Sequence, residues 1–166
     1  MDICPPSLDS PVFLYGLRRL LLLLHTAGSI VLLGAATHHA MQMRHYLRGR
    51  FPRVRQEKTW ARVTSAAYVI TFALGALLYP SYRVHVRACW LEQHAPLYVG
   101  LFDVKEVFAS LALVVAVGLG LLSYTLRPAE ERALVPVYAA MSFVVCAVVW
   151  LDATLGILIV SVRGIG

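Results

Sequence analysis

Residues 20–45 read LLLLLHTAGSIVLLGAATHHAMQMRH. An apolar run of this length, at about 1.5 Å of rise per residue, crosses a hydrocarbon layer of roughly 30 Å as one helix. Two features depart from a plain membrane anchor. His25 sits inside the leucine run, and the segment closes on His38, His39, Met41, Met43 and His45.

Three further apolar stretches repeat the length. They give expected helices over 13–43, 60–80, 105–126 and 133–162, joined by a basic loop at 44–59 and a second loop at 81–104. The 166-residue chain is 59% hydrophobic and 14% charged, outside the usual soluble range. We therefore expect an all-α fold, an integral membrane four-helix bundle forming a single transmembrane domain over 1–166. The fifteen Lys and Arg residues give a formal charge of +6. They flank apolar runs and form no basic stripe, so nucleic acid is not expected as a partner. Reading the first helix as a cleaved signal peptide would send the most basic loop outward, and a stable first span is expected instead.

Arg44, Arg48, Arg50, Arg53, Arg55, Lys58 and Arg62 in the first loop, with Arg127 and Arg132 in the third, place nine of the fifteen basic residues on one side. The positive-inside bias makes that side cytoplasmic and both termini outer, and segment 44–62 is expected to touch anionic lipid. The expected location is a bacterial cytoplasmic (inner) membrane. In the 81–104 loop, Tyr82, Val84 and Val86 alternate with Arg83, His85 and Arg87, a period of two that suggests a short extended or interfacial element. Pro80 and Pro96 are read as its helix-free limits.

At 100° per residue each helix carries one small and polar stripe. The first holds His25, Gly28, Ser29, Leu32, Ala36 and His39, and the second Thr64, Tyr68, Thr71, Gly75 and Tyr82. The third holds Glu106, Ser110, Val117, Gly120 and Tyr124, and the fourth Tyr138, Met141, Val145, Asp152, Gly156 and Arg163. Such stripes face inward, because close backbone approach and hydrogen bonds hold helices together in lipid.

A carboxylate in a membrane helix is expensive, which makes Asp152 a functional candidate. Counting from Arg163 and Arg18, Asp152 lies about 16 Å and His25 about 10 Å below the outer interface. They are expected to be neighbours, forming an intramembrane polar site with Glu106 and Tyr68. Arg83, His85, Arg87, His94 and Asp103 make an expected outer polar cluster able to seat a quinone headgroup, a carboxylate ligand or a metal.

His38, Met41 and His45 share a helix face and are weak candidates for copper. The plainer reading puts the His38–His45 group at the lipid headgroups, where the membrane ends. Haem b needs a second axial ligand for His25, and the expected helices 60–80, 105–126 and 133–162 contain no histidine. His85, His94, Met141 or another subunit would have to supply it. Cys4 and Cys89 fall on the outer side and are candidates for a disulfide, whereas Cys146 reads as a packing residue.

No complete catalytic motif is present in the sequence. The leading functional expectation is a non-catalytic accessory or anchor subunit of a larger membrane complex concerned with electron or proton transfer, whose partners are other membrane subunits or further copies of the chain. The alternative is a self-contained haem-, metal- or proton-handling bundle with its site around His25, Asp152 and Glu106. A small oligomeric transporter is a weaker third.

Overall fold

The computed structural model describes residues 12–164. Their regular secondary structure is helical, with no strand among the described residues. The long helices are α1 (Arg18–Leu47), α2 (Val54–Tyr82), α3 (Pro96–Thr125) and α4 (Val135–Val162). Each belongs to a helical stretch long and apolar enough to cross a membrane. They form a four-helix bundle in which α1 packs on α2 and α4, and α3 packs on the same two helices. We call the end carrying turns 48–53 and 126–134 the basic end, and the opposite one the far end.

The helices overrun their expected limits. α1 continues to Leu47 and α2 begins at Val54, so the expected 44–59 loop shrinks to 48–53. Hydropathy detects where hydrocarbon stops, while a helix continues until its backbone is capped. The end of α1 is capped by chain conformation. Gly49 takes φ +69°, its N–H reaches the Tyr46 carbonyl at 2.9 Å, and the Arg50 N–H reaches that of His45 at 3.0 Å. This paired closure needs a left-handed residue, which glycine adopts without penalty.

The expected 81–104 loop is also helical. Pro80 lies inside α2, and from Arg83 to Leu91 the chain winds as a wider π-helix, followed by a turn at Glu92–His94. No extended element is found there, since a lone strand would leave backbone groups unpaired that a helix satisfies locally. Pro96 opens α3, where a missing N–H costs nothing.

Outward faces are apolar, as Leu23, Val114 and Leu121 show. The expected stripes of α1, α2 and α4 turn inward, apart from Arg163, which is exposed just past the end of α4, but that of α3 is rotated. Ala112, Ala116 and Gly120 are packed inside, whereas Val117 and Tyr124 are exposed. Ser110 faces out and satisfies itself on the Glu106 carbonyl at 2.8 Å. Small side chains, which permit close approach, choose this face rather than the polar one.

At Gly120 an added Cβ would lie 2.7 Å from the Ser65 Cβ on α2. Gly120→Val is therefore expected to destabilise the bundle by about 1–3 kcal/mol, with partial rescue by Ser65→Gly. Thermal unfolding in detergent measures both.

Midway along the bundle, Leu32, Ala36, Tyr68, Ala112, Ala116, Val145 and Val149 form a buried belt. It separates two polar regions.

Candidate functional site

Toward the basic end, Glu57 of α2 is 2% exposed and His39 of α1 is fully buried. His39 Nε2–H donates to Glu57 Oε1 at 2.8 Å. The Tyr138 hydroxyl donates to the same oxygen at 2.7 Å, and the Tyr46 hydroxyl to Oε2 at 3.0 Å. Ser142 Oγ lies 2.8 Å from His39 Nδ1 and closes the chain of contacts. Three helices contribute, and every polar side chain in the group has a partner. A buried carboxylate and imidazole so enclosed hold one another in place.

This group corrects the reading of His39 as part of a headgroup boundary, although its inward stripe was correctly expected. Glu57 was placed in a loop. Extending the α2 stripe back from Thr64 by seven residues reaches Glu57, and extending the α1 stripe on from His39 by seven reaches Tyr46.

On the far side of the belt the four helices enclose a cleft of about 700 Å³. Most of its wall is apolar or aromatic, with Phe72, Leu78, Tyr79, Tyr82 and Phe102 among the lining residues. His25, Tyr68, Lys105, Glu106 and Asp152 also line it. The structure thus brings all four residues of the expected intramembrane site to one cavity, Glu106 at its exposed margin.

The local contacts assign each group a separate condition. His25 Nδ1–H donates to the Thr71 carbonyl at 3.0 Å, which leaves the Nε2 lone pair of the neutral ring unused in that bond. No hydrogen bond joins it to Asp152. The Tyr68 hydroxyl donates to the Ala109 carbonyl on α3 at 3.0 Å. Asp152 Oδ1, the Tyr82 hydroxyl and Thr71 Oγ1 are buried without a partner, and all three residues line the cleft. Thr26, Thr37, Thr59 and Thr154 satisfy their hydroxyls on carbonyls four residues back, as helical threonines commonly do. Thr71 does not, and its hydroxyl is directed at Gly28 on α1.

Lys105 also lines the cleft, its Cε 3.9 Å from where a Cβ on Gly156 would stand. The signal was its place three residues after Phe102 and seven before Ala112, on the face that α3 turns inward.

The expected outer cluster divides into separate contacts. Arg87 makes two bonds to Asp103 at 2.7 and 3.3 Å and one to Glu92 at 3.2 Å, fastening the π-helix to α3. His85 packs against Tyr15 with ring centroids 4.3 Å apart and the rings tilted by 40°. His94 gives its Nδ1–H to the Trp90 carbonyl at 3.0 Å and stacks on that indole. Arg83 is exposed. These side chains serve their neighbours and do not converge on one point.

The copper candidates also diverge. His38 accepts the Gln42 amide N–H at 2.9 Å and packs on Trp60, Met41 is 56% exposed, and His45 is exposed. Among the described residues no three His, Cys, Asp or Glu side chains group as a metal site. Of the named haem-ligand candidates the cleft is lined by His25 alone, and by neither His85, His94 nor Met141. Cys4 lies outside the described residues, and the expected Cys4–Cys89 bridge with it. Cys146 is a free thiol.

No protein-family model matches the chain, and neither a curated protein nor a solved structure matches it.

Proposed function

We propose that this chain is a ligand-binding integral membrane protein whose site is the cleft around His25, Lys105, Glu106 and Asp152. The ligand is a small lipid-soluble molecule with a polar head. The basic end is cytoplasmic, both termini are outer, and the cleft opens in the outer half of a cytoplasmic membrane of bacterial type. The concentration of Lys and Arg near turns 48–53 and 126–134 supports that orientation.

One observation carries the reading. Asp152 Oδ1 is buried without a partner in a cavity of about 700 Å³. Cavities of roughly 300–1,000 Å³ with apolar walls and few polar groups are the usual form of small-molecule sites. An unsatisfied carboxylate oxygen costs free energy that a complementary ligand recovers. A scaffold holding partner helices needs neither feature, which favours a ligand site over a purely accessory subunit.

The test is mass spectrometry and absorption spectroscopy of the chain purified in mild detergent. The expected result is a non-phospholipid molecule bound near one to one, retained by wild type and lost from Asp152→Asn. Wild type carrying no such molecule, unmoved in melting temperature by lipid-soluble additives and copurifying with other membrane chains, would return the accessory-subunit reading to first place.

A further inference from the structure

The cleft is closed toward the basic end and open on one side. α1 and α4 are pinned together where Trp150 Nε1–H donates to Thr37 Oγ1 at 3.0 Å. Closer to the basic end, Ser142 and His39 join the same two helices. Helical periodicity places Ile30 and Thr26 beyond Thr37 on the same edge of α1, and Ala153, Ile157 and Ser161 beyond Trp150 on the facing edge of α4. All five line the cleft. Yet Ile30 is 68% and Ile157 71% exposed. Residues that face a neighbouring helix across a seam and are still this exposed mark a place where the helices have parted. The parting is rimmed by aliphatic side chains, so it suits acyl chains.

The charge inside selects the head. Two carboxylates, Asp152 and Glu106, face one ammonium, Lys105, and His25 has committed its Nδ1–H to Thr71. The formal balance is negative, and the orphan oxygen of Asp152 accepts but cannot donate as a carboxylate. The walls add the aromatic rings of Tyr79, Tyr82 and Phe102, whose faces attract cations. An anionic head would meet repulsion from both carboxylates.

We propose that the α1–α4 seam is a lateral portal through which a single-chain amphiphile with a cationic, hydrogen-bond-donating head, an alkylammonium, passes from the bilayer into the cleft. Its head pairs with Asp152, and its chain lies across Ile30 and Ile157 in the open seam. The Trp150–Thr37 bond is the lower stop that keeps the chain from sliding toward the basic end. This assignment rests on the cleft being a ligand site, as proposed above.

The experiment uses the full chain in lipid nanodiscs and a diazirine-bearing dodecylamine as photoprobe, with the matching fatty acid as control. The amine is expected to label the cleft side of α1 and α4, within 22–33 and 153–161, and the fatty acid to label it about tenfold less. Asp152→Asn is expected to cut amine labelling about tenfold. Thr26→Trp/Ile157→Trp plugs the seam at two exposed positions and is expected to cut it by a similar factor while Asp152 is intact. Thermal unfolding of each variant verifies that the fold is kept. Labelling that survives the plug but falls with Asp152→Asn overturns the portal and leaves the ligand site standing. Labelling indifferent to Asp152→Asn, or equal for both probes, overturns the portal and the choice of head, and wild type without cleft labelling by any lipid-soluble probe overturns the site as well.

Discussion

Glu57→Leu is expected to cost about 3–5 kcal/mol of stability, the largest loss of any single substitution considered. The change removes the acceptor shared by His39, Tyr46 and Tyr138. It strands three donors, the His39 imidazole among them, in a buried region. The two tyrosines lose a charge-assisted bond each, and such bonds individually contribute about 1.5–3 kcal/mol. His39→Leu/Glu57→Leu is expected to recover much of the loss, because an apolar pair leaves no uncompensated charge. Unfolding of wild type, both single variants and the double variant in a denaturing detergent gives the coupling directly. Additive losses at His39 and Glu57 would show that the two side chains are not coupled.

Asp152→Leu is expected to move in the opposite direction. Its Oδ1 is buried with no partner, so removing the carboxyl from the ligand-free protein eliminates an unmet acceptor. The gain expected is about 1–3 kcal/mol, visible as a higher melting temperature in detergent stripped of lipid-soluble additives. The same variant should lose the bound molecule. Higher stability with lost binding is the signature of a residue kept for its site at the expense of the fold. A fall in melting temperature would mean that Asp152 holds the helices together, and the ligand reading would lose its main support.

Much of this arrangement was legible in the sequence, for reasons that also explain where reading failed. The lengths of four apolar runs define four helices, and the 100° step turns His25, Tyr68 and Asp152 toward a common interior. Hydropathy marks the hydrocarbon, however, and is blind to a helix that continues into charged sequence. The first turns of α2, residues 54–59, were hidden in this way, and Glu57 with them. The third helix misled differently. Its polar residues suggested one face, but Ala112, Ala116 and Gly120 allow closer backbone approach and set the packing. That rotation brought in Lys105. Pro80 was read as a stop because proline removes one backbone donor, yet α2 runs through it to Tyr82 and the chain winds on as a π-helix from Arg83.

The open seam could not be read at all. Ile30 and Ile157 look like ordinary lipid-facing positions in a helical wheel, and it takes the packed bundle to show that they border a cavity.

The buried belt between Leu32 and Val149 has an electrical consequence. Along α4, Ser142 and Asp152 are ten residues apart, about 15 Å, or roughly half a hydrocarbon core. Polar groups lie at either end, so in a bilayer the membrane voltage drops mainly across this dry section. A unit charge crossing the full field exchanges about 2.3 kcal/mol per 100 mV. A charged head entering through the α1–α4 seam, as proposed, stays on the far side of this section and does not cross it. The same section acts as the dielectric of a capacitor, letting the chain keep charge at both ends without short-circuiting the membrane.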